Sequence, residues 1–395
     1  VEVLQRMLQC PGLAAERRRA KQDLANVHEA LRRGWDSHGL QGCGLHHDFK
    51  KEIDLQMMIL RCTACSTFRA WPITRRPASG GPLAGLRVVD CGNFLAGPIV
   101  SMHMAALGAE VIKVEKPRGD DSRAVGPFTA TGGESSYFLS INRGKRSVAI
   151  NTRSEDGAAL FRRLASTADV VVENYRPGVM DRLGIGYEAL SAINPRLIYA
   201  SVSGFGQTGA DAERPAFDSL LQAAGGIISV TGPSAAAEEE RAGLRNVRVG
   251  VSIVDITAGM HALIATMAAL HARHSTGRGQ RVDASMLATA ATLMESPISR
   301  HSVSGDVPFA DGLAHPVVAP FDGYGTSDGK LYIATSNDAR AHLCLRELGL
   351  AGLVEDARFA SNTARMANRE ELTLLIEAKL RAKVRRYALC LIERI

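Results

Sequence analysis

Leu86-Arg87-Val88-Val89-Asp90 is followed by Pro98 to Leu107 and then by Glu110-Val111-Ile112-Lys113-Val114-Glu115, and the reading of this stretch decides the fold. The two apolar runs predict buried strands. Pro98 suits the first turn of a helix that Gly108 ends. The same rhythm returns downstream. Ser147 to Asn151, Asp169 to Glu173 and Leu197 to Val202 predict further strands, and Ser154 ahead of Glu155 and Asp156 predicts a capped helix to about Ala165. Alternation of this kind implies an α/β fold, a Rossmann-like, mostly parallel sheet whose ligands bind outside the carboxyl ends of the strands.

Composition narrows the partners. A chain of 395 residues with 46% hydrophobic content fills one or two sizeable cores, and its net charge of +6 is spread among acidic neighbours, so no nucleic acid is expected. The longest strongly apolar run, Ile256 to Leu270, falls short of the roughly 20 residues a bilayer needs, so no membrane partner is expected either. Seven cysteines without regular pairing fit a reducing compartment. The start Val1-Glu2-Val3 shows no signal peptide and lacks Met, which suggests a fragment of a cytoplasmic protein, with the mitochondrial matrix as the alternative. Residues 1–80 read as an N-terminal extension of unknown role. It has an amphipathic, Arg-rich helix over Val1 to Arg33 and a breaker-rich linker from Arg75 to Pro82. Within it, the pairs Cys43 and His46, and Cys62 and Cys65, have a spacing that a zinc site uses. One pair is mixed, and no metal is expected.

Asp255 closes the run Val249-Gly250-Val251-Ser252-Ile253-Val254 and opens a helix whose residues Ala262 to Leu270 are apolar on nearly every face, predicting burial all round. It reads either as an N-cap, the commoner role, or as a nucleophile held in a partly dry pocket by the first amides and the positive helix end. Gly204-Phe205-Gly206-Gln207-Thr208-Gly209 fits a dinucleotide fingerprint but leads into Ala210 to Pro215, which is no helix start, so a nicotinamide site is not expected. Lys116, the run Asn142-Arg143-Gly144-Lys145-Arg146, Asn174-Tyr175-Arg176 and Arg182 lie at successive strand ends, where together they suit a polyanion, with Tyr175 against an adenine. Each alone is ordinarily a solvated surface group.

Six segments in order carry a resemblance: Leu83 to Asp90, Leu95-Ala96-Gly97-Pro98, Leu107 to Glu115, Val172 to Gly178, Gly204 to Gly209, and Thr276-Gly277-Arg278-Gly279-Gln280. From about residue 83 to 385 the chain resembles the class III CoA-transferases, a family that also includes the alpha-methylacyl-CoA racemases. The resemblance implies a large domain over 81–304 and a small domain over 305–395, incomplete because relatives continue into a C-terminal return segment. It implies that Asp255 is the catalytic residue, that Lys116, Asn174, Tyr175, Arg176 and Arg182 contact CoA, and that Leu95 and Ala96 lie beside the thioester. Relatives often carry a polar residue where Leu95 stands.

The implied reaction moves CoA from an acyl-CoA to a carboxylic acid, such as the dicarboxylate succinate, through an anhydride and an aspartyl-CoA thioester. Coenzyme A is a substrate in it, and no prosthetic group or metal is needed. Relatives pair as interlocked homodimers, and a truncated member with little activity is a further alternative. The racemases pair the Asp with a His where Phe217 stands here, so transfer is favoured over epimerisation. Asp218 reads as a structural residue at the next helix start. In the small domain Phe321 to Gly325 and Asp328 to Ala334 predict a hairpin, Ala339 to Leu348 and Arg369 to Lys379 predict helices, and Asp311 to Pro316 stands where relatives have a glycine-rich loop.

Overall fold

Val88 and Val89 in β1 (Arg87–Asp90) are both fully buried, one toward each face of a sheet, which is why this strand shows no polar alternation. The computed structural model describes residues 80–129, 132–234 and 246–383. The predicted helix over Val1 to Arg33 and the Cys43, His46, Cys62 and Cys65 pairs lie outside the described residues.

From β1 the chain runs through α1 (Ala96–Ala106), β2 (Glu110–Glu115), α2 (Ser136–Asn142), β3 (Arg146–Ala149), α3 (Glu155–Ala165) and β4 (Val170–Glu173). It continues through α4 (Val179–Arg182), α5 (Tyr187–Ile193), β5 (Ile198–Ser203), α6 (Asp218–Ala224), α7 (Ile253–Thr276) and β6 (Arg281–Ser285). The six strands are parallel throughout, in the order β3-β2-β1-β4-β5-β6. Ser154 caps α3 as its sequence predicts, its hydroxyl accepting from the Gly157 amide. Strand order reverses between β1 and β4, and that is where a sheet of this topology opens a crevice for ligands.

One apolar core lies between the sheet and α1 and α7, built on Val88, Val100, Met104, Val170, Ala258 and Ala262. A second, on the other face, gathers Val89, Phe161, Val171, Leu190 and Tyr199. By length and composition α7 is apolar enough to cross a membrane, yet one stripe of it lies in the core and its buried Arg273 bonds Asp169 at 2.9 Å. The expected burial on every side is corrected here: Met260 and Ile264 are 45% and 65% exposed.

After α8 (Met286–Leu293) and α9 (Glu295–Ser304) comes the predicted hairpin, β7 (Phe321–Thr326) antiparallel to β8 (Gly329–Ala334). With α10 (Asp338–Glu347), α11 (Asn362–Ala367) and α12 (Arg369–Leu380) it encloses a core of its own around Tyr324, Leu345, Phe359 and Ile376.

Candidate functional site

Asp255 is the third residue of α7, so it does not cap its own helix; that reading of the sequence is corrected. The cap comes from a distance. Asp218 does open α6, but its Oδ1 accepts from the amides of Val254 and Asp255 at 2.8 and 3.2 Å. Gln222, fully buried one turn further along α6, fixes this carboxylate. Its Nε2 donates to Asp218 Oδ2 at 2.6 Å and its Oε1 accepts from Val249 N at 2.8 Å. The first amides of α7 therefore serve Asp218 and not Asp255, contrary to the expectation that they would hold the nucleophile.

The electrostatic result follows directly. Asp255 is half-buried, and among the described residues no donor bonds its carboxylate. Burial first, and the charge of Asp218 second, push its pKa up to about 7. A carboxylate in that state is poorly solvated and reactive, and near neutral pH it exchanges its proton readily.

An apolar cluster adjoins this first turn of α7 through Ile256. Leu95 and Ile99 from the start of α1 cluster with Ile141 of α2, and Tyr137 and Ile256 pack against them. Burial, then the charge on Asp255, push the Tyr137 hydroxyl up to about 12. No spacing in the sequence points to Tyr137; the only local signal is Ser135, whose hydroxyl caps α2. Helices α1 and α7 meet at Gly259, where an added Cβ would lie 2.6 Å from the Ala96 carbonyl oxygen and 2.9 Å from Ile99 Cγ2. Leu95 and Ala96 are thus brought to the helix that carries Asp255.

The loop leading to them is held open in an unusual shape. Phe94 has φ of +57°, a left-handed conformation that is strained for an aromatic residue. Beside it, Asn174 Oδ1 accepts from Asn93 N at 2.7 Å and Asn174 Nδ2 donates to Asn93 O at 2.9 Å. This pair bridges the crevice between β1 and β4, and a Cβ on Gly97 would meet the Asn174 side chain at 3.1 Å. Asn174→Leu removes both bonds at once. It is expected to cost about 2 kcal/mol of stability and to lower the melting temperature by several degrees, read by calorimetry. An unchanged melting temperature would show that the pair carries nothing.

The remaining sequence candidates separate into two groups. Lys116 pairs with Asp121 at the end of β2, and Asp121 also accepts from Asn93 Nδ2 at 2.9 Å, so Lys116, Asn93 and Asn174 form one chain of contacts across the strand ends. Arg182 lines a cavity of about 440 Å³ with Pro177, Gly178, Gln207, Thr208 and Gly209, whose lining does not include Asp255. Arg176 borders a void of about 10 Å³ with Glu173, Tyr199, Gln207 and Arg281, room for a single water. Tyr175 is 39% exposed, its amide bonded to Glu173 Oε2.

Lys145 and Asn142, grouped by the sequence with the ligand-facing cations, are instead buried, and Lys145 is paired with Asp90 at 2.8 Å. That expectation is corrected. The Gly204 to Gly209 segment follows β5, but the next helix begins only at Asp218, so no helix N-terminus stands behind its glycines.

Comparison with known proteins gives a consistent picture. Residues 83–394 match CoA-transferase family III. The chain is 37% identical over 314 residues to the succinyl-CoA:glutarate CoA-transferase of Mus musculus, covering 79% of this chain and 70% of that protein. It is 40% identical over 302 residues to the acetyl-CoA:oxalate CoA-transferase of Acetobacter aceti, covering 76% and 75%. Among solved structures it is similar to a CAIB/BAIF family protein from Brucella suis, with a TM-score of 0.69 and 40% identity over 80% of this chain and 82% of that one.

Proposed function

The chain belongs to CoA-transferase family III, and from that premise we propose that it carries CoA from an acyl-CoA to a free dicarboxylate on the side chain of Asp255. The observation that carries this reading is a half-buried carboxylate, without a hydrogen-bond donor among the described residues, next in the chain to Ile256, which packs on the apolar wall of Leu95, Ile99, Ile141 and Tyr137. Asp255 attacks the thioester carbonyl and the carbon–sulfur bond breaks, giving a mixed anhydride and CoA thiolate. The thiolate then attacks the aspartyl carbonyl of the anhydride, releasing the donor acid and leaving an Asp255–CoA thioester. The acceptor carboxylate attacks that thioester and the two steps run in reverse. A carboxylate is a weak nucleophile, so the rate rests on alignment against the thioester and on keeping water from the anhydride.

For CoA itself we assign Leu95 and Ala96 to the thioester end and Lys116, Asn174, Tyr175, Arg176 and Arg182 to the nucleotide and its phosphates. Support comes from their position at the carboxyl ends of β1, β2 and β4, and from the 440 Å³ cavity beside Arg182. The dicarboxylate acceptor is supported by relatives named for succinate, glutarate and mesaconate at 36–37% identity. Phe217, 70% exposed, cannot carry a proton, which speaks against epimerisation at the acyl α-carbon. Met260 and Ile264, one turn apart on α7, are apolar and exposed, and support pairing with a second copy of the chain. The location proposed is the cytoplasm.

Glutaryl-CoA mixed with succinate is expected to yield succinyl-CoA in the presence of the protein, followed by mass spectrometry across a panel of mono- and dicarboxylic acceptors. In deuterated water a 2-methylacyl-CoA is expected to keep its α-hydrogen. Deuterium incorporation without CoA exchange would overturn the reading in favour of epimerisation.

A further inference from the structure

The elements that carry this apolar wall are joined by a buried group that the reaction above does not use. Lys145 has a side chain 1% exposed, and its single ammonium donates to three acceptors on three elements. These are Asp90 Oδ2 at the end of β1 at 2.8 Å, the Pro98 carbonyl in the first turn of α1 at 2.9 Å, and Asn142 Oδ1 at the end of α2 at 2.9 Å. All three of its N–H bonds are used. Asp90 is as completely engaged, accepting also from Ser101 Oγ at 2.7 Å and from the Gly92 amide at 2.8 Å. A second buried ammonium, Lys113, bonds the Gly92 carbonyl at 2.7 Å and pairs with Asp120 at 2.8 Å. Burial alone would raise the Asp90 carboxyl, but these two cations hold it below its ordinary range.

The elements tied by Lys145 are the ones that build the wall. Leu95 and Ile99 flank Pro98, and Tyr137 and Ile141 belong to the helix that ends at Asn142. Four of the five side chains of this wall therefore sit on segments fastened to one nitrogen, and the fifth, Ile256, is the neighbour of Asp255 in α7. We infer that Lys145 is a positioning residue for the transfer reaction, holding the starts of α1 and the end of α2 together so that water does not reach the acyl group on Asp255. The inference rests on the reading of Asp255 as nucleophile. If the wall opens, water attacks the donor-acyl carbonyl of the anhydride; its oxygen replaces that of Asp255, giving the donor acid, the regenerated carboxylate and, after protonation, free CoA thiol. Donor is then hydrolysed instead of exchanged.

The test measures partition, not rate alone. Glutaryl-CoA is supplied with and without succinate, and free thiol and succinyl-CoA are counted over an enzyme-free blank for the parent, for Lys145→Met and for Phe161→Leu. Phe161 lies in the core on the opposite face of the sheet, so its truncation destabilises the fold without touching the wall. Lys145→Met is expected to raise hydrolysis per transfer about tenfold, whereas Phe161→Leu lowers the active fraction and leaves the ratio unchanged. Should Lys145→Met not fold, Lys145→Arg replaces it; its planar fork keeps the charge but cannot set one nitrogen on all three acceptors. A folded Lys145 variant with the parent's ratio, or an equal rise in Phe161→Leu, overturns the inference. A parent that exchanges no CoA, or exchanges it with Asp255 unmodified, counts against the proposed function and not against Lys145 alone.

Discussion

Asp255→Asn is expected to abolish CoA exchange, by ~10⁴-fold or more, while making the folded protein more resistant to heat at pH 8. The loss follows because the amide oxygen of Asn cannot form the anhydride. With the parent, incubation with acyl-CoA and hydroxylamine is expected to leave a hydroxamate on the peptide carrying Asp255, read by mass mapping. The gain in stability has a definite sign. The folded pKa is about 7, above the ordinary 3.8, so the folded state holds a proton that the unfolded chain has released. Whatever this group contributes is complete below about pH 4 and is lost as the pH rises through 7. The parent should therefore lose stability across that window and the Asn variant should not. At pH 8 the difference is expected to be on the order of 1–2 kcal/mol, the half-buried position and solvent screening reducing the full shift. Calorimetry of both proteins at pH 4 and pH 8 measures it. An Asn variant that exchanges CoA at the parent rate would remove Asp255 from the chemistry, and equal pH dependence would show that its carboxylate is not strained.

Gly259→Ala sets two effects against each other. In an exposed helix interior this change stabilises by about 1 kcal/mol, because Gly has more backbone freedom to lose. Here the new methyl would stand 2.6 Å from a backbone oxygen, Ala96 O, and 2.9 Å from Ile99 Cγ2. A carbonyl inside α1 cannot swing away as a flexible side chain would, so the two helices must separate. Overpacking of this kind costs about 1–3 kcal/mol, which outweighs the helix propensity, and the net sign is destabilising. Separation also moves Leu95 and Ala96 away from Asp255, so exchange is expected to fall by at least about tenfold, misplacement near a reacting group being costly. Denaturant unfolding together with the exchange rate decides the matter; a variant more stable than the parent and fully active would mean that α1 yields freely.

Much of this architecture was legible in local patterns. The β-branched runs of β1, β2, β4 and β5 announce strands buried on both faces, and Ser154 marks the start of α3 to the residue. β3 spans Arg146–Ala149 where the sequence predicts Ser147 to Asn151, because an exposed edge strand takes its register from β2 and not from its own hydrophobicity. The site was legible only in part. Asp255 stands out along the chain, but the group that caps its helix is Asp218, 37 residues earlier. Lys145 reads as one cation in a basic run; its partner Asp90 lies 55 residues away. Helical periodicity in α7 is blurred by Met260 and Ile264, apolar side chains on the exposed side, so composition alone overstated its burial. Tyr137 has no motif at all and becomes visible only when α2 is laid against α1. What local spacing cannot carry is the pairing of side chains across the fold.

The capping of α7 by a carboxylate from α6 bears on the order in which substrates join. In the resting protein two carboxyl groups, Asp218 and Asp255, share one helix start, and above pH 7, where Asp255 is mostly ionised, a free acid is repelled there. In the proposed reaction Asp255 becomes a neutral thioester, which would remove one of those charges. On that reading the acceptor acid is expected to bind more tightly to the thioester form than to the resting protein.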